Sequence, residues 1–92
     1  MLSREVSISN PLGMHARAAA RFVHAATAFR SHVRVSRGNR TTDGKSIMGI
    51  LLLAAARGTA LTIATDGPDE REALDALCAL VQSGLGDDPC SG

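Results

Sequence analysis

Val6 and Ile8 alternate with Glu5, Ser7 and Ser9, a period of two that predicts a strand and stops at Asn10-Pro11. From Ala16 the spacing changes. Ala19, Phe22, Val23, Ala26 and Phe29 recur at helical intervals, while Arg17, Ala20, Arg21 and His24 form a second, exposed stripe. Val33 and Val35 then alternate with His32, Arg34 and Ser36, and Gly38-Asn39 offers a tight turn into Arg40–Asp43, so a short hairpin follows the helix.

Ser46 is placed to cap a second helix that begins the apolar run from Ile47 and that Gly58 is expected to end. No capping box is expected, because Gly49 holds the third helical position. Ile50, Leu53 and Ala54 are expected to face a sheet, leaving Ile47, Met48 and Leu51 pointing elsewhere as an exposed apolar patch. Leu61 and Ile63 alternate with threonines in a further strand that ends at Asp66-Gly67. Pro68, Asp69 and Glu70 suit the first turn of a last helix, whose core stripe is Ala73, Leu74, Leu77, Leu80 and Val81 and whose end is Gly84. The order βαββαβα, without internal repeats, predicts an open two-layer α/β sandwich.

Ninety-two residues is one domain's worth of chain, expected over residues 1–85 with a flexible tail over 86–92. The only aromatics are Phe22 and Phe29, which leaves no stacking platform for single-stranded nucleic acid. The net charge of +1 conceals an asymmetry. Residues 1–45 carry eight Lys and Arg against two acids, and the remainder carries two Arg against seven acids. A basic first half fits an acidic or phosphorylated partner, and equally a solvated surface. Cys78 and Cys90 are too few for a disulfide framework, there is no signal-peptide pattern, and the longest apolar stretch is about half of the roughly 20 residues a membrane span needs. A soluble cytoplasmic protein is expected.

The segment that carries chemistry is Asn10 to Arg17, where a glycine-containing loop delivers His15 to the start of a helix. The first helical amides, at Ala16 and Arg17, lack intrahelical partners and sit at the positive end of the macrodipole, so an anion on His15 is stabilised there. The Arg17 guanidinium adds a fork suited to phosphate oxygens. The same field disfavours charge on the imidazole, which is expected to be neutral and nucleophilic. Phosphoryl transfer asks little of a protein beyond position and charge stabilisation, so these neighbours suffice for a carrier. Taken alone, a histidine here also fits a plain cap.

Gly13-Met14-His15-Ala16-Arg17, Ala19-Ala20, Lys45-Ser46-Ile47-Met48-Gly49 and Asp66-Gly67-Pro68-Asp69-Glu70 together resemble HPr, the histidine-containing phosphocarrier family of the bacterial phosphotransferase system, over residues 2–84. The resemblance implies a four-stranded, mainly antiparallel sheet with three helices on one face. It implies that His15 takes a phosphoryl group from enzyme I and donates it to an enzyme II A component. It also implies that Ser46 is a regulatory site for an HPr kinase/phosphorylase, and that Arg17, Ala20, Arg21 and His24 with Ile47, Met48 and Leu51 form the docking face. A monomer without cofactor is expected.

Three positions depart from the family pattern. Ala18 stands where proline is common, and His24 and Thr27 stand where lysine is frequent, which weakens the electrostatic part of docking. Met14 and Gln82-Ser83-Gly84 resemble the nitrogen-branch relative NPr, so a regulatory rather than sugar-transport carrier is the alternative. A metal site is not expected, because His15, His24 and His32 are nine and eight residues apart without a carboxylate cluster. Arg-rich strands leave a basic nucleic-acid-binding module as the alternative of a different class.

Overall fold

The computed structural model describes residues 1–86; the rest of the expected tail, with Cys90, lies outside the described residues. Four strands, β1 (Leu2–Ser7), β2 (His32–Arg37), β3 (Arg40–Asp43) and β4 (Ala60–Asp66), alternate with three helices, α1 (Ala16–Thr27), α2 (Ile47–Leu52) and α3 (Glu70–Gln82), in the order βαββαβα. The sheet order is β1-β4-β2-β3 and every pairing is antiparallel, with Val6 opposite Leu61, Val35 opposite Ile63 and Arg34 opposite Asp43. Alternation does the rest. Val6, Val33, Val35, Leu61 and Ile63 point into the core against Phe22, Ile50, Leu74, Leu77 and Val81 of the helices, while Ser3, Glu5, His32 and Arg34 stay exposed on the open face.

Several boundaries differ from the periodic expectation. Ile8 is buried but lies beyond β1, since its amide and carbonyl turn to Thr59 and Gly58. α1 stops at Thr27, leaving Phe29 half-buried past its end, and Ala18 joins the buried stripe while Val23 is only half-buried. In α3, Cys78 is buried and Leu80 half-buried; burial raises the Cys78 thiol's pKa, as expected of a packing residue rather than a reactive one. The largest difference is α2, which ends at Leu52 and not near Gly58. Ala54, at φ 53°, breaks the helical path, and it is exposed rather than turned to the sheet.

Much of the basic half is used inside the molecule, at helix C-termini where carbonyls lack intrahelical donors. Lys45 Nζ donates to Phe29 O (2.9 Å) just past α1. Arg37 and Arg40 donate to Leu53 O (2.8 Å) and Leu52 O (3.3 Å) at the end of α2. Arg21 donates to Leu85 O (3.1 Å) beyond α3, and Arg4 pairs with Asp75 of α3 at 2.9 Å. All five cations hydrogen-bond this chain's own groups, but only Arg4 is paired with a carboxylate; the other four bond neutral carbonyls and keep their charge.

Asp69 ties two turns together. Its carboxylate accepts from the Arg30 amide (2.9 Å), the Ser31 amide (2.9 Å) and the Ser31 hydroxyl, while its own amide donates to Ser31 Oγ. These bonds, the Ser31 hydroxyl foremost and then the Arg30 amide, lower its pKa from 3.8 to about 2. A depressed carboxylate stabilises the fold above its ordinary pKa, and that contribution is lost as pH falls through the folded value. Asp69→Asn is therefore expected to melt several degrees below the parent at pH 7, with the gap closing between pH 4 and pH 2. A gap of constant size across that window would show that the carboxylate charge is not what binds the turns.

Candidate functional site

His15 is the N-cap of α1, in extended geometry (φ −78°, ψ 178°), half-buried, with its carbonyl accepting the first helical bond from Ala19 N at 2.8 Å. Its side chain makes no capping bond to the helix. The side chain therefore does not serve as the helix cap, and the α1 amides at Ala16 and Arg17 begin beside it. Ala16, Arg17, Ala20 and His24 are exposed.

The loop that carries His15 is held from two directions. Internally, Asn10 Nδ2 donates to Gly13 O (2.8 Å), Gly13 N donates to Asn10 O (3.1 Å), and His15 N donates to Gly13 O (3.0 Å). Externally, Met14 is buried and its amide donates to Ala55 O at 2.8 Å, so the loop is fastened to the segment that follows α2. Gly13 lies at φ +67°, and a Cβ there would stand 2.6 Å from Ala55 O. Glycine is the residue that permits this approach.

At the other end of α2, Ser46 Oγ accepts from Gly49 N (3.1 Å), so the expected cap is formed. α2 packs beside α1 as well as against β3. Its exposed apolar side chains are Ile47 (44%), Met48 (66%) and Leu52 (66%), and Leu12 on the His15 loop is 72% exposed. Leu51, expected in this patch, is half-buried and packs on the core, and Leu52 takes its place. A helical wheel centred opposite Ile50 and Leu53 places Leu51 and Leu52 equally far to either side, so periodicity does not choose between them, and nothing periodic marks Leu12. Arg21 is half-buried and engaged by Leu85 O, so it is less available to a partner than its stripe suggested.

Among the described residues, no three His, Cys, Asp or Glu side chains gather into a group that could hold a metal ion, and no helix is long and apolar enough to cross a membrane.

Comparison with known proteins gives a consistent result. Residues 2–83 match the family described as the PTS HPr component phosphorylation site. The phosphocarrier protein HPr of Cupriavidus necator is 51% identical over 87 residues, covering 95% of this chain and 98% of that protein. The crystal structure of HPr-C-His from Thermoanaerobacter tengcongensis superposes with a TM-score of 0.91 at 39% identity, over 96% of this chain and 99% of its own. A crystal structure of an HPr dimer from the same organism gives a TM-score of 0.75 at 39% identity, over 95% and 100% of the two chains.

Proposed function

Since the chain belongs to the HPr family of phosphocarrier proteins of the phosphotransferase system, we propose that His15 is its phosphoryl acceptor, charged by phosphorylated enzyme I and discharged to a histidine of an enzyme II A component. A ring nitrogen of His15 attacks phosphorus, the bond from phosphorus to its carrier atom on enzyme I breaks, and the three equatorial oxygens spread their charge toward the α1 amides and Arg17. Such transfers run on positioning and charge stabilisation. The observation that carries this reading is the place of His15 at the N-cap of a twelve-residue helix, on a loop fastened at Gly13 and Met14. Enzyme I with labelled phosphoenolpyruvate tests it. Acid-labile, base-stable label on the full chain is the expected result, and acid-stable label or none would refute it. The relay is proposed to run in the cytoplasm, with the carrier a monomer, a state its mass in solution checks.

We take the docking face to be Arg17, Ala20 and His24 of α1 with Ile47, Met48 and Leu52 of α2, joined by Leu12. Exposed apolar side chains beside a reacting histidine suit a partner interface with a desolvated centre. Ser46 is the proposed regulatory site for an HPr kinase/phosphorylase. A phosphate adds about −1.5 to −2 charges, which the N-terminal end of α2 tolerates but an apolar partner surface does not. Ser46→Asp is accordingly expected to slow phosphoryl acceptance from enzyme I while leaving the melting midpoint within a few degrees. Acceptance at the parent rate, or a large drop in melting, would return Ser46 to a plain helix cap.

A further inference from the structure

Arg37, the last residue of β2, is exposed, yet its Nη1 reaches across to Leu53 O at 2.8 Å. Leu53 is the C-cap of α2 and its side chain is buried in the core. The next residue, Ala54, stands at φ 53°, a left-handed conformation that a residue with a Cβ keeps only where its surroundings hold it. One residue on, Ala55 O accepts from Met14 N at 2.8 Å, and Gly13 lies against the same carbonyl. Gly13 O in turn accepts from the His15 amide. The backbone turn at Ala54 thus aims the carbonyl on which the His15 loop rests.

We propose that Arg37 is a positioning residue for His15: its bond to Leu53 O fixes the turn at Ala54, and that turn presents Ala55 O to Met14 and so sets the loop that carries the histidine. The inference rests on His15 as the phosphoryl acceptor. α2 is only six residues long, so few stacked peptide dipoles draw a cation to its end, and the directed bond to one carbonyl is what matters. Arg40 reaches the neighbouring Leu52 O at 3.3 Å, a longer and exposed contact that does not touch the turning peptide. The Ala54 amide donates to Leu51 O at 3.0 Å and holds the N–H side of the same peptide; without the guanidinium its carbonyl side is unsecured, which lowers the cost of Ala54 relaxing toward the right-handed region. That rotation swings Ala55 O away from Met14, and small displacements of a reacting group are expensive in rate.

The test uses Arg37→Met in the full chain, a substitution that keeps the side-chain stem. Loss of a charge-assisted hydrogen bond is expected to speed hydrogen exchange at the Met14 amide about tenfold. Exchange at Val35 and Ile63, in the middle of the sheet, should be unchanged. The NMR signals of the His15 ring are expected to move. In phosphoryl acceptance from enzyme I, kcat should fall by about tenfold with KM for the carrier constant, and Arg37→Lys, which keeps the charge on a side chain one bond shorter, should recover part of the loss. Unchanged Met14 protection and His15 ring signals would overturn the inference. A raised KM at constant kcat would also overturn it, making Arg37 a docking charge. A parent protein that takes no label on His15 would refute the proposed function instead, and Met14 exchange would still decide the link to Arg37.

Discussion

Replacing His15 with alanine is expected to abolish acid-labile labelling by enzyme I, with no residual fraction attributable to another histidine. The chain has two internal controls, and both lie in the wrong electrostatic place. His24 is in the last turn of α1, near the negative end of its dipole, and His32 opens β2 opposite Asp66. Neither has a set of unpartnered helical amides beside it. The fold should survive, because the His15 side chain supplies no capping bond to α1, whose Ala18, Ala19, Phe22 and Ala26 are buried regardless. Arg17→Ala is the graded comparison. One charge-assisted hydrogen bond to phosphate is worth roughly 1.5–3 kcal/mol, so about ten- to a hundred-fold in rate, with the backbone amides still in place. Label persisting on His15→Ala would remove His15 from the relay, and an Arg17→Ala protein with the parent rate would remove Arg17 from the phosphate site.

Gly13→Ala is expected to damage both stability and transfer, and Gly38→Ala is its control. The two glycines have nearly the same backbone, φ +67° and φ +60°. A residue with a Cβ therefore pays a similar conformational cost at each, about 1–2 kcal/mol. Their surroundings differ. A Cβ at Gly38, in the hairpin turn, meets nothing within 4 Å, whereas at Gly13 it would lie 2.6 Å from Ala55 O and 3.0 Å from Ala56 Cα. Those are backbone atoms and cannot step aside as a flexible side chain would. The loop must lift, the Met14 to Ala55 hydrogen bond is lost at a further cost of about 0.5–1.5 kcal/mol, and buried Met14 is drawn from the core. Gly13→Ala should thus lose about 2–4 kcal/mol by denaturant titration and at least tenfold in phosphoryl acceptance. Gly38→Ala should lose only the conformational part and transfer at the parent rate. Equal stability losses in the two variants would mean that close packing on Ala55 does not hold the His15 loop.

What the sequence determined by itself is everything whose cause lies within a few residues. Period-two alternation marked β1, β2 and β4, and Gly38-Asn39 turned the hairpin. Ser46 announced its cap bond to Gly49, three residues on, and Gly13 followed by His15 announced a loop that delivers a histidine to a helix start. Patterns of this kind rest on interactions between i and i+2 or i+4, and they are written locally. Periodicity did not show where α2 stops: beyond its last turn the carbonyls on either side of left-handed Ala54 accept from Arg37, sixteen residues from Leu53, and from Met14 of another loop. Only the tertiary structure decided that Leu52, not Leu51, stands in the apolar patch, and that Arg4, Arg21, Arg37, Arg40 and Lys45 serve this chain's own carboxylate and helix-end carbonyls. Charge counting cannot see those partners. A hydrogen bond between groups distant in sequence leaves no period to read, and it exists only once the sheet has brought the helix ends within reach of the cations that satisfy them.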